Sequence, residues 1–209
     1  MGILYADHNA TTPLDPEVRA AMVEALDGSF GNPSSLHQAG QQARRLVERA
    51  RAQVAALIGA EPDEILFTSG GTEADNLAVL GAMAAAPPGR RRLVTTTIEH
   101  HAVLEPCAHL RAGGTEIAAI AVDGEGRLAL DALAGAVGPD TVLVSVMLAN
   151  NDTGAVQSVA EVARIARSAG ALAHTDAVAA AGKLPIDVDD LGVSLLSLSS
   201  HKLHGPKGA

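Results

Sequence analysis

The chain has 209 residues, 47% hydrophobic and 19% charged, with a formal net charge of −9. Such a composition belongs to a soluble globular protein of one domain or one and a half, large enough to bury a core without disulfides or metals. A single cysteine, Cys107, excludes an intrachain disulfide framework and a Cys-based metal cluster, and no basic run exceeds Arg90-Arg91-Arg92, which argues against a nucleic-acid surface. No apolar stretch approaches the length of a bilayer span, and no secretory signal is visible at the amino end, so a reduced, cytoplasmic setting is expected.

Two helices are predicted first. Asp15-Pro16 supplies an N-cap and an N1 proline for one that runs through Val18, Met22 and Leu26 to Gly28. A second opens at Ser34-Ser35 and ends near Ile58-Gly59. The pattern then alternates. Apolar, strand-like runs are predicted at 64–68, 93–97, 116–122, 142–148, 172–175 and 193–198, with helices at 72–83, 102–110, 130–137 and 159–169. Strands alternating with helices read as βαβ units, and near-continuously apolar strands read as a sheet covered on both faces. The expected class is α/β, with a mostly parallel sheet and helices on both faces.

Ligands of such sheets bind beyond the carboxyl ends of the strands, and polar residues gather at those ends. Ser69-Gly70-Gly71-Thr72-Glu73 is a small-residue turn feeding a helix. It reads either as a phosphate cradle at a helix amino end or as a tight turn capped by Thr72. Asp176 ends an apolar strand, where it either pairs with a protonated ring nitrogen or caps a turn. Lysine occurs only at 183, 202 and 207. Lys183 and Lys207 are expected on the surface. Lys202 follows the last strand and Ser199-Ser200-His201, a place where partial desolvation makes an amine a usable Schiff-base nucleophile. Phosphate cradle, acidic partner and strand-end lysine together are what pyridoxal 5'-phosphate requires. His100 is then a candidate for stacking on the ring or moving protons. His201 and His204 have no third partner in a ligand set, so no metal site is expected.

The chain resembles the pyridoxal-phosphate-dependent cysteine desulfurases of the class V aminotransferase group. The resemblance is carried, in family order, by residues 5–13 (YADHNATTP), 31–37 (GNPSSLH), 67–76 (FTSGGTEADN), Glu99-His100, 149–154 (ANNDTG), 174–177 (HTDA) and 197–208 (SLSSHKLHGPKG). It implies a fold-type I large domain, truncated after the Schiff-base lysine. Residues 1–14 would be an N-terminal active-site segment and 15–209 an incomplete cofactor-binding domain, with the first helix open to assignment to a small domain whose remainder is absent. Lys202 is implied as the Schiff-base residue, Asp176 as the partner of the ring nitrogen, and His100 as the stacking, proton-moving residue. Gly71, Thr72, Ser199 and His201 are implied as phosphate holders, and Asn151 as a contact of the ring oxygen or substrate.

The implied activity removes sulfur from L-cysteine, leaving L-alanine and an enzyme persulfide for iron–sulfur cluster assembly or tRNA thiolation. A homodimer and a sulfur-acceptor or scaffold partner go with it. Two departures stand out. Ala179 occupies the position where the family usually carries a glutamine, and nothing matches the persulfide cysteine or the arginine that clamps the substrate carboxylate, both of which the family places after the lysine. Cys107 reads as a small core residue. Two other readings stay open: a truncated, non-catalytic homologue that binds the cofactor or a partner, and selenocysteine lyase or another class V enzyme.

Overall fold

The computed structural model describes residues 4–209; Met1–Ile3 of the expected N-terminal segment lie outside them. Among the described residues the strands are β1 (Arg92–Thr96), β2 (Glu116–Ile120), β3 (Thr141–Ser145), β4 (Leu172–Asp176) and β5 (Leu195–Ser197). All neighbours pair in parallel, in the order β2-β1-β3-β4-β5. The helices are α1 (Pro16–Gly28), α2 (Gln38–Ile58), α3 (Gly71–Ala84), α4 (His101–Ala112), α5 (Leu130–Ala136), α6 (Val159–Ser168) and the short α7 (Val188–Leu191).

The period-2 geometry of the strands divides the core. Leu93 and Leu143 point to the face where Val79 and Ala82 of α3 meet Val103 and Cys107 of α4. Their neighbours Val94 and Val144 point to the opposite face, onto Leu133 of α5 and Val162, Ala163 and Ala166 of α6. Two apolar stripes on either side of each strand explain why the strands read as unbroken hydrophobic runs.

β1 connects to β2 on one side, whereas β3, β4 and β5 follow one another on the other side. The order reverses between β1 and β3, and in parallel sheets ligands sit beyond the strand ends at such a reversal.

The predicted strand at 64–68 does not form. Pro62–Glu64 is a single 3-10 turn, and the extended residues after it pair with no strand among the described residues, leaving Leu66 and Phe67 exposed. An apolar run makes a strand only where a neighbour supplies the ladder. The second helix begins at Gln38 with His37 as its N-cap, four residues after Ser34, because Asn32 and Ser34-Ser35 form a turn of their own. α1 starts as expected, with the Asp15 side chain accepting from the Glu17 N–H, yet it contains no buried residue.

Candidate active site

The amino end of α3 is built from Gly70 and Gly71. Gly70 is the N-cap at φ 140°, a backbone region open to glycine, and no side chain caps the helix. A Cβ at Gly71 would stand 2.9 Å from Cγ2 of Val178. The alternative of Thr72 as N-cap is thereby corrected: Thr72 lies within the first turn, exposed, and the helix end is left uncapped. Ser69 is tied from behind, its N–H and hydroxyl both donating to Glu73 at 2.6 Å, which holds that carboxyl below its ordinary range.

The uncapped end opens into a cleft of about 200 Å³. Gly71, Thr72, His100, Asn151, Asp176, Ser199, His201 and Lys202 all line it, together with Ala10, Asp75, Met147, Val178 and Ala179. Every candidate residue named for this site is therefore brought to one place, by the amino end of α3, the turn after β1, the loop after β3, the end of β4 and the turn after β5.

Asp176 forms the floor at the end of β4. It is 5% exposed, and one of its oxygens accepts the Val178 N–H at 2.9 Å. Burial pushes its carboxyl upward, opposed by that hydrogen bond and by His100 and Lys202. Lys202 lies half-buried in the 3-10 turn Ser200–Lys202 after β5. Burial, and next Lys183, lower its amine, while Asp176 and Asp7 oppose. Its Nζ donates to the Asn9 carbonyl. Lys183 and Lys207 are exposed, as expected.

His100 caps α4, its Nδ1 accepting the Ala102 N–H at 3.1 Å, and its ring is left exposed at the cleft. Burial lowers the His201 imidazole, with Lys202 and Lys207 adding to the effect.

The N-terminal segment is strapped across Lys202. Thr12 donates its N–H and its hydroxyl to the His201 carbonyl at 2.9 Å each, and its oxygen accepts the His204 N–H at 2.8 Å. The Asp15 N–H donates to the His204 carbonyl at 3.0 Å. These bonds hold His204 at φ 59°, a left-handed conformation that a non-glycine residue keeps only when its surroundings impose it.

Three buried polar residues lie within the quoted motifs, which assign them no role. Glu99 accepts the Thr96 hydroxyl at 2.6 Å and the Met147 N–H at 3.0 and 3.1 Å; burial pushes it up to about 8. Asn150 joins the loop after β3 to the turn after β1, donating to the Ile98 carbonyl at 3.0 Å and accepting from the N–H groups of Asp152 and Thr153. Asp75 is the third. Its spacing with Ala78, Val79 and Ala82 places it on the buried stripe of α3, which is the sequence signal that could have found it.

The donors present fit pyridoxal 5'-phosphate. An uncapped 14-residue helix offers N–H groups and positive potential to a phosphate, a buried carboxylate can pair with a ring N–H, and a partly desolvated amine lines the same cleft. Ala179 brings no polar group to the cleft wall.

Residues 4–209 match the aminotransferase class-V family. The chain belongs to that family. Within it, the chain is similar to the cysteine desulfurase of Cereibacter sphaeroides, at 54% identity over 207 residues, 98% of this chain and 53% of that protein. It is similar to the cysteine desulfurase IscS of Dictyoglomus turgidum at 47% identity, covering 98% of this chain and 52% of that protein. Among solved structures, a NifS-like protein superimposes with a TM-score of 0.93 at 40% identity, over 97% of this chain and 56% of that one. SspA in complex with cysteine does so with a TM-score of 0.94 at 35% identity, over 98% and 59%. This class-V chain thus spans about half the length of the curated relatives it matches.

Proposed function

We propose that the cleft binds pyridoxal 5'-phosphate and belongs to a cysteine desulfurase. The observation that carries this reading is the convergence of a half-buried amine, a buried carboxylate and an uncapped helix end on one cleft. When bound, the cofactor supplies an electron sink that labilises bonds at the substrate's α- and β-carbons.

The chain's residues have distinct tasks. The N–H groups at Gly71 and Thr72, with Ser199 and His201, hold the phosphate; Asp176 keeps the ring nitrogen protonated through a charge-assisted hydrogen bond. Lys202, whose amine burial makes easier to deprotonate, is the covalent anchor. His100, exposed over the cleft, stacks on the ring and moves a proton at its free Nε2. Asn151 faces the ring oxygen or the substrate. Ala179 leaves that oxygen without the family's usual glutamine, a loss of about 1 kcal/mol for one neutral hydrogen bond.

L-Cysteine is the proposed substrate, in line with the cysteine bound to SspA. Cys107 does not accept the sulfur: it is 4% exposed, and burial pushes its thiol up to about 11. A homodimer, a sulfur-acceptor or scaffold partner and a cytoplasmic location complete the proposal. So does the division into a segment 1–14 and a cofactor domain 15–209, with α1, which buries nothing, set apart from that domain's core.

The test is borohydride reduction of the protein with pyridoxal 5'-phosphate, followed by peptide mapping. Labelling of Lys202 in preference to Lys183 and Lys207, abolished by Lys202→Ala, is expected. Equal labelling of all three lysines would refute the assignment.

A further inference from the structure

Beneath the cleft lies a second carboxyl group to which the proposed function gives no task. Asp75, on the second turn of α3, is 1% exposed, and its Oδ1 atom makes no hydrogen bond among the described residues. His174 Nε2 lies 3.6 Å from that oxygen, beyond hydrogen-bond distance. Both ring nitrogens of His174 are already engaged, Nδ1 with the Ser145 hydroxyl at 2.8 Å and Nε2 with the Ser197 hydroxyl at 3.0 Å.

An ionised Asp75 would need a cation, and its surroundings offer none of its own. From β4 it faces His174 and Asp176. Burial drives the His174 imidazole down to about 4, so the ring is neutral at physiological pH. The turn after β1 brings Glu99 and His100, of which Glu99 is itself anion-forming and buried. α4 contributes the buried thiol of Cys107, and the strands β3 and β5 face α3 with Ser145 and Ser197 and carry no titratable side chain. Lys202, the amine that lines the cleft, interacts with Asp176, and the His201 imidazole is lowered by burial and by Lys202 and Lys207. Desolvation first, and the charge of Asp176 second, push Asp75 up to about 8, opposed by the Ser197 hydroxyl.

We propose that Asp75 is a positioning residue that carries a proton, so that the two aspartates beneath the cleft hold one negative charge and Asp176 bears it. Two carboxyl groups in one desolvated site do not both ionise. The proton settles on the member with an unpartnered oxygen, because Asp176 has a backbone N–H and the Lys202 amine to favour its anion, whereas Asp75 has the Ser197 hydroxyl alone. A second anion here would also hold the Lys202 amine in its protonated, unreactive form. A neutral Asp75 leaves that proton to be governed by Asp176. What the single charge is for rests on the proposed cofactor reading; the protonation itself is a property of this chain.

The experiment is infrared difference spectroscopy of the protein, without cofactor, carrying aspartate labelled with carbon-13 at the side-chain carboxyl, titrated from about pH 6 to about pH 9.5. The label separates aspartate bands from Glu99. One protonated-carboxyl band should persist at neutral pH, vanish with a midpoint near 8, and be missing in Asp75→Asn. In Asp176→Asn the same band should remain and its midpoint should fall, since the charge that raised it is gone. No aspartate band at neutral pH, or one that Asp75→Asn leaves in place, overturns the proposal. Should Asp75→Asn not fold, Asp176→Asn decides alone, a band unmoved or abolished counting against it. A wild type that shows the band yet fails to take up pyridoxal 5'-phosphate would sink the cofactor reading and leave Asp75's proton established.

Discussion

Replacing Glu99 by glutamine should change how stability depends on pH more than it changes stability itself. The carboxyl accepts from Thr96 and from the Met147 N–H, contacts an amide oxygen can partly reproduce. The ordinary glutamate value of 4.5 becomes about 8 in the fold. Across that interval the native state keeps a proton the unfolded chain has released. The sign follows: this stability is fully present below 4.5 and is lost as pH rises through 8, with a slope of about 1.4 kcal/mol per pH unit. Asp75, also raised to about 8, acts in the same direction. His174, lowered from 6.5 to about 4, acts in the opposite one, its contribution being lost as pH falls through 6.5 towards 4. Subtracting the Glu99→Gln curve from the wild-type curve cancels both. Well below pH 4.5, where both states hold the proton, the variant should be less stable by about 1 kcal/mol, the worth of one hydrogen bond. By pH 8 it should be the more stable protein by a few kcal/mol, so the curves cross. With no tryptophan in the chain, urea unfolding is best followed by far-UV circular dichroism. Parallel curves between pH 5 and 8 would refute the reasoning, since they would mean that Glu99 ionises alike in both states.

Gly70→Ala forces a Cβ onto φ 140° and should cost about 1–3 kcal/mol in thermal or urea unfolding, together with weaker uptake of pyridoxal 5'-phosphate. Cys107 should react with a thiol reagent only as fast as the chain opens, and immediately in denaturant; prompt reaction in the native state would contradict its burial. Leu143→Ala empties a position with no solvent exposure between α3 and α4 and should cost about 2–5 kcal/mol in urea unfolding. Leu26→Ser, on α1 at 77% exposure, should change stability by less than about 0.5 kcal/mol in the same assay. A loss at Leu26 comparable to that at Leu143 would show that α1 is packed against something in solution.

The parallel sheet was legible in the sequence because a strand covered on both faces has no polar side, and Leu93-Val94 and Leu143-Val144 show that double commitment in adjacent residues. The site was legible because chemistry at strand ends needs residue types that packing does not: Asp176, Lys202 and His100 stand out against apolar neighbours. Two things escaped. Residues 64–68 have the composition of a strand, but a strand is a relation between two segments, and composition reports only one of them. Asp75 and Glu99 escaped for the converse reason. Each lies inside a quoted motif with no task assigned to it, because its character comes from what folds over it: β4 with His174 and Asp176 against Asp75, and the Met147 backbone against Glu99.

That difference bears on how the site works. His100, Asn151, Ser199, His201 and Lys202 reach the cleft from turns and loops, whereas Asp75, Glu99 and His174 are buried beside the sheet's core, where an unpaired polar group is costly. His174 is neutral and bridges Ser145 to Ser197, thereby tying β3 and β5 through β4 immediately below Asp176. Apolar side chains at 75 and 174 would pack the same space without a desolvation cost. A chain that keeps two carboxyl groups and an imidazole there instead spends stability on an electrostatic setting, and the carboxylate that this setting surrounds is Asp176.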